Sequence, residues 1–348
     1  MRVLHVTDLL HRPGGAERYA HELARALERR GVVARVTGAP LHASPGPAPP
    51  GRYALLVLPA LVRACARACR ELRPDVIHAH HPLAHLVALT RGVPVVRTYH
   101  GDLAAEIARR RPWLAGPARL LPRARATAIG VSAELALRLG AALIPGAVDP
   151  ARFHPATIQR GPGPWRIGAL ARLAPERGLD ELLEAAALLV REGRDLVCRV
   201  AGAGPLRHRL ARAGARLLGV RFELAGPPAD PAAFLRDLDF YASPAPLETQ
   251  GLAVLEAMAT GLAIVARRSP GTERSLGGAP PAGVLVDAPD PAAFARALAQ
   301  VMDDADFARR LATEARSRAL ARGWDDVARE HEPVYAMAVG RKTAGRTV

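Results

Sequence analysis

The chain has 348 residues, 49% of them hydrophobic, with 31 glycines and 31 prolines scattered rather than repeated. That length exceeds one ordinary core and fits two of average size, and the composition is that of a globular chain. No apolar run reaches the roughly 18–20 residues a membrane-spanning helix needs, and three cysteines in odd number exclude a disulfide framework. The net charge of +15 is uneven: residues 1–160 hold 23 arginines against 10 acidic residues, whereas residues 161–348 hold 25 basic against 23 acidic. A basic first half points to an anionic partner.

The first residues run straight into a strand with no leader layout, from which we expect a cytoplasmic chain. Short apolar runs then alternate with amphipathic stretches. The pattern predicts strands at residues 2–6, 33–37, 75–79, 95–99 and 127–131, with helices at 16–30, 60–73, 83–90 and 102–110. Residues 38–51, rich in proline, glycine and serine, read as a loop. A second series has strands at 166–169, 197–201, 222–224, 239–242, 263–266 and 284–286, with helices at 179–191, 206–213, 231–238 and 252–260. Three helices follow at 291–303, 306–321 and 324–339. Alternation of this kind implies parallel sheets covered on both faces, so the expected class is α/β. The expected fold is two Rossmann-like, doubly wound domains facing each other across a cleft, where such sheets bind ligands at their strand carboxyl ends. The expected domains are 1–155 and 165–323, joined by a linker at 156–164 that contains Gly161-Pro162-Gly163-Pro164. Cys65 and Cys69 fall one helical turn apart and Cys198 in an apolar strand, as buried or idle thiols do.

Two segments carry chemistry. After the first strand, Gly14 and Gly15 open a helix, where backbone N–H groups and the helix dipole favour a phosphate. The spacing is not that of the dinucleotide fingerprint G-x-G-x-x-G. The second segment runs from Pro246 to Gly261. In it Glu248 and Glu256 stand eight positions apart around Gly251 and Leu252, which begin a helix. Both carboxylates can then face one ligand, with the N–H groups of Gly251 and Leu252 directed at a diphosphate between them.

This run resembles the signature of family-four glycosyltransferases of the GT-B fold. The likeness extends through Gly14-Gly15-Ala16-Glu17, Asp75-Val76-Ile77-His78-Ala79-His80, Tyr99-His100-Gly101-Asp102, Ile144 to Asp149, Ala171 to Leu179 and Gly202-Ala203-Gly204-Pro205. The resemblance implies a retaining transfer of a sugar from a nucleotide-sugar, UDP-sugar favoured, to a hydroxyl acceptor: a lipid, a lipid-linked or other saccharide, or a small natural product. It implies that Arg172 and Arg177 neutralise the diphosphate, Glu256 accepts from ribose hydroxyls, and Glu248 holds the sugar and stabilises positive charge near its anomeric carbon. His100 would reach the sugar from the N-terminal domain, which would hold the acceptor. The helix at 324–340 would cross back onto that domain. No tightly bound cofactor and no metal are expected. The chain departs from the family pattern at Arg177, where lysine is usual, at Gly146-Ala147 in place of Asn-Gly, and at Gln250, where an aromatic is common. The alternatives are a nucleotide-sugar epimerase on the same fold and a non-catalytic scaffold; a cofactor-lysine phosphorylase fits poorly, since the one lysine, Lys342, lies in the tail.

His78, His80, His81 and His85 crowd together, but no helical carboxylate pattern accompanies them and a metal site is not expected. Asp237-Leu238-Asp239 reads as structural, at the handover from a helix to a strand. The stretch Arg109, Arg110, Arg111, Trp113, Arg119 and Arg123 suits adsorption to an anionic membrane as well as it suits a solvated face, and the basic first half tilts the reading to a peripheral membrane association. Nucleic acid is not expected, because few aromatics interleave the arginines.

Overall fold

The computed structural model describes residues 1–10, 14–40, 50–101, 126–157 and 163–344. Two compact units result, one of Met1–Gly146 with Trp324–Val348 and one of Ala147–Gly323.

The first unit is built on a parallel sheet of β1 (Arg2–Leu9), β2 (Val33–Ala39), β3 (Val76–Ala79), β4 (Val95–Tyr99), β5 (Ala126–Gly130) and β6 (Ala142–Leu143). Its strand order is β2-β1-β3-β4-β5-β6. The strand β1 is buried along its length after Arg2, as a parallel strand covered on both faces must be. Helices α1 (Gly15–Arg29), α2 (Pro50–Leu72), α3 (Pro82–Leu89) and α4 (Ala133–Leu139) belong to this unit. The strand order reverses between β1 and β3, the switch point at which such sheets open toward a ligand.

The second sheet comprises β7 (Trp165–Leu170), β8 (Leu196–Ala201), β9 (Phe222–Ala225), β10 (Phe240–Ser243), β11 (Ala263–Arg267) and β12 (Val284–Val286), all parallel. Its order, β12-β11-β10-β7-β8-β9, reverses between β7 and β10. Its helices are α5 (Leu179–Arg191), α6 (Arg207–Leu218), α7 (Pro231–Arg236), α8 (Leu252–Ala259), α9 (Pro270–Leu276), α10 (Pro291–Asp303) and α11 (Ala305–Leu320). One core packs α5 and α10 against the sheet through Leu182, Leu183, Leu189, Phe294 and Leu298. A second core, on α7 and α8, includes Leu235, Val254 and Met258.

The sequence pattern and the structure differ at α2, at two short helices and at the boundary between the units. The helix α2 begins at Pro50, inside the expected loop, and runs through Pro59. Val57, Leu61, Cys65 and Ala68 carry it into the core at helical spacing, which outweighs the proline. The seven-residue helices α4 and α9 are too short to show a period. Their caps form nonetheless: the Ser132 hydroxyl accepts from Leu135 N at 3.3 Å, and Ser269 and Thr272 make a capping box. Chain contacts divide after Gly146 rather than at residue 155, because Val148 and Phe153 pack in the same core as Leu238 and Tyr241. The C-terminal helix α12 (Trp324–Ala344) counts with the first unit, where Asp325 pairs with Arg29 of α1 at 2.8 Å.

The helix expected over 102–110 and the basic stretch of Arg109, Arg110, Arg111, Trp113, Arg119 and Arg123 lie outside the described residues. Among the described residues no helix is long and apolar enough to cross a membrane.

Candidate active site at the strand carboxyl ends

In the second unit, the loops that leave β7 and β10 flank the switch point. After β7 come Arg172 and a 3-10 turn at Pro175–Arg177; after β10 comes the loop carrying Glu248. The two loops meet where Arg177 Nη1 donates to Glu248 Oε2 at 2.8 Å. Arg172 pairs with Glu176. The loop is held from behind by Gly271 of α9, whose N–H donates to the Glu248 carbonyl oxygen at 3.0 Å.

Gly251 caps α8 at φ 70° and ψ 58°, a left-handed conformation that glycine adopts without the cost of a Cβ. No side chain caps α8, so the first N–H groups of the helix, beginning at Leu252, present the positive end of its dipole. Glu256 is buried within α8. Beneath this loop lies Tyr241 of β10, whose hydroxyl donates to the Leu170 carbonyl at 3.2 Å. Burial pushes the Tyr241 phenol up, and the charges of Glu248 and Glu256 push it further, which brings both carboxylates into one neighbourhood. Among the described residues, Arg177 Nε and the buried amide Nε2 of Gln250 have no hydrogen-bond partner. Unspent buried donors beside a helix N-terminus fit an anionic, hydroxyl-bearing ligand.

In the first unit the strand ends carry imidazoles. The register sets His5 of β1 beside His78 of β3, and His80 and His100 follow β3 and β4. His5 Nδ1 lies 3.1 Å from His80 Nε2, and His80 Nδ1 lies 3.2 Å from His100 Nε2. His78 instead uses both nitrogens on hydroxyls, Tyr335 on α12 and Thr98 on β4, each at 2.7 Å. His331 of α12 contacts Tyr19 of α1 ring to ring at a centroid distance of 6.1 Å. Burial, reinforced by neighbouring imidazoles, lowers His5 to about 3 and drives His78 and His80 well below the ordinary range. His100 is lowered to about 3 by burial, against the opposing pull of the Glu17 carboxylate.

Ligand atoms of His5, His78 and His80 lie within 4.8 Å of one another, and neutral imidazole is the form that binds a metal. His78 and His80 nevertheless spend both nitrogens on Tyr335, Thr98, His5 and His100. The glycines Gly14 and Gly15 open α1, but the Glu17 carboxylate lies against Gly14 and pairs with His81 at 3.0 Å. The chain's own carboxylate thus stands at that helix N-terminus. Asp237 pairs with Arg166 and Arg199, and Asp239 Oδ2 accepts from Arg166 N at 2.7 Å, so both aspartates tie down strands.

Arg172, Arg177, Glu248, Gly251, Leu252 and Glu256 therefore gather in the second unit, and Gly14, Gly15 and His100 in the first. His5, Tyr241 and Gly271 escape the motif reading. A histidine flanked by Val3, Leu4 and Val6 is the available signal for His5; nothing local marks the other two.

The family described as Glycosyl transferases group 1 matches residues 152–318, and Glycosyltransferase Family 4 matches residues 13–152. The D-inositol 3-phosphate glycosyltransferase of Corynebacterium urealyticum is 34% identical over 179 residues, 49% of this chain. The match spans 42% of that relative's length, less than half. The glycogen synthase of Mycobacterium tuberculosis is 30% identical over 296 residues, covering 77% of this chain and 70% of the relative. The structure of Anabaena HepE in complex with UDP-glucose is alike in fold, with a TM-score of 0.72 over 97% of this chain and 99% of that one, at 18% identity. Two family matches that meet at residue 152, a relative aligned over most of both chains, and two doubly wound sheets lead to one conclusion: the chain belongs to the family-four glycosyltransferases of the GT-B fold.

Proposed function

We propose that the chain is a retaining glycosyltransferase that moves a sugar from a nucleotide-sugar to a hydroxyl acceptor. The observation that carries this reading is the Arg177–Glu248 pair beside the uncapped helix at Gly251. A cation for a departing diphosphate and a carboxylate for an electron-poor sugar stand there within one hydrogen bond. In the reaction the bond from the anomeric carbon to the phosphate oxygen breaks, a bond from that carbon to the acceptor oxygen forms, and the acceptor's proton passes to the departing phosphate. Arg172 and Arg177 neutralise the diphosphate as charge develops on it, together with the N–H groups of Gly251 and Leu252. Glu256 accepts from ribose hydroxyls, Glu248 holds the sugar, and His100 contacts the sugar from the N-terminal unit. UDP is the favoured nucleotide because the fold neighbour HepE carries UDP-glucose. A lipid-linked or saccharide acceptor at an anionic membrane suits the basic first half of the chain.

The test is nucleoside diphosphate release from UDP-, GDP- and ADP-sugars, with and without anionic liposomes carrying candidate acceptors. Release that requires one donor and an acceptor, with the anomeric configuration kept in the product, supports the proposal. An inverted product removes the retaining mechanism, and failure to bind any nucleotide-sugar removes the transferase reading.

A further inference from the structure

Helix α6 breaks a pattern kept on four other helices. On α1, α4, α11 and α12 an exposed arginine pairs with an acid three or four positions away, as Arg25 does with Glu22 and Arg138 with Glu134. In α6 the residues Arg207, Arg209, Arg212 and Arg216 are all exposed, and the helix contains no acid. Its first turn sets cations at the positive end of the helix dipole, and Arg212 repels Arg216 one turn on, both at a cost. At about 100° per residue, His208, Arg209, Arg212 and Arg216 fall within an arc of about 100°. The opposite face, Leu210, Gly214 and Leu218, is buried, and a Cβ at Gly214 would strike the Phe222 ring. Packing therefore holds the basic stripe outward. Arg209 pairs with Asp180 of α5 at 3.0 Å, whereas Arg212 and Arg216 have no ion pair among the described residues. In the turn that follows the helix, Val220 is 97% exposed.

The cleft between α5 and α6 is lined by these arginines with Asp180 and Glu184, and none of its charged side chains is buried. It is thus no pocket for a single anion. A row of exposed cations ending in one projecting apolar side chain suits a surface that offers many anionic headgroups above an apolar layer. We propose that the outward stripe of α6 is a contact surface for an anionic lipid bilayer, with Val220 entering the headgroup boundary. This deepens the part of the proposed function that sets the acceptor at an anionic membrane, and it uses none of the transfer chemistry.

The experiment is co-sedimentation of the full chain, without nucleotide-sugar, with vesicles of phosphatidylcholine alone or mixed with phosphatidylglycerol. The expected result is binding to the mixed vesicles only, weakening as salt is added. Equal binding to both vesicles, or to neither, overturns the proposal. Arg212→Gln with Arg216→Gln should lower the partition about 25-fold, at about fivefold for each arginine near the surface, with an unchanged urea midpoint. An unchanged partition places the adsorption elsewhere, on the basic first half of the chain for example, and overturns the assignment to α6. Val220→Ser should weaken binding with its salt dependence intact; unchanged binding overturns the insertion. Soluble polyglutamate is the third probe. If the double arginine variant loses polyglutamate binding while vesicle binding stays, the partner is an acidic polypeptide and the lipid assignment falls. Failure to turn over any nucleotide-sugar strikes the transferase reading alone, because vesicle binding is read without it.

Discussion

Arg177 and Glu248 stand 71 positions apart in sequence and 2.8 Å apart in space. The pair joins the two loops that flank the switch point of the second sheet, and both side chains are mostly shielded from solvent. Each charge therefore depends on the other before any ligand arrives. Replacing Glu248 by Gln keeps the shape and removes the charge. Turnover should fall by about 10²-fold or more, the scale seen when a preorganised electrostatic group is lost. The circular dichroism spectrum should be unchanged. A Glu248→Gln enzyme with most of its activity would remove the residue from the mechanism.

Gly271 tests whether the loop position matters as well as its residues. A Cβ at this position would strike the Glu248 carbonyl oxygen and approach the Thr249 carbonyl carbon to 2.8 Å. Gly271→Ala must push the Glu248 loop away from α9, at a stability cost of about 1–3 kcal/mol. Turnover is expected to drop by at least about tenfold, because misplacement by about 1 Å can cost about 10²-fold. Steady-state rates beside urea unfolding curves separate the two effects; unchanged kinetics would mean the loop tolerates displacement.

The buried imidazoles make stability depend on pH. His5 and His100 are lowered to about 3 in the folded chain, and His78 and His80 are lowered too, from an ordinary 6.5. Between those values the unfolded chain holds more protons than the folded one. Stability is thus fully present above about pH 6.5 and is lost as pH falls toward 3, at about 1.4 kcal/mol per pH unit for each such histidine. Urea unfolding at pH 7.5, 6 and 5 should show a midpoint that falls as acid is added. Replacing His5 with Phe should flatten that slope by about one proton; an identical slope would mean His5 does not titrate on unfolding.

Cysteine reactivity should be ranked. Cys69 is lowered to about 7 by the hydrogen bond from Cys65, with Arg91 assisting, whereas the same bond and burial push Cys65 up. Burial pushes Cys198 up to about 12. Thiolate is the nucleophile, so iodoacetamide at pH 7.5 should label Cys69 well before the other two. Peptide mass spectrometry over a time course reads the order, and equal labelling of Cys65 would refute the assignment of the shared proton.

Much of the architecture could be read locally. Apolar runs bounded by turn residues marked the strands, because a strand buried on both faces needs little more than a short hydrophobic stretch. The sequence pattern starts α2 only after Pro59, a strong local stop, and the packing of Val57, Leu61, Cys65 and Ala68 that overrides it is not local. The boundary after Gly146 is not local either: Phe153 reads as the end of the first domain until its core is known.

By itself, the sequence determined the class of fold, the uneven charge and the motif that holds Glu248, Gly251 and Glu256 at fixed spacing on one loop and helix. These follow from composition and from helical geometry over a few residues, which any chain segment carries with it. Only the tertiary structure decided that Arg177 meets Glu248, that Tyr241 lies near both carboxylates, and that His5, His80 and His100 form one hydrogen-bonded chain. Such pairings depend on strand order and register, and a register shift of one residue would turn His5 to the opposite face of its sheet.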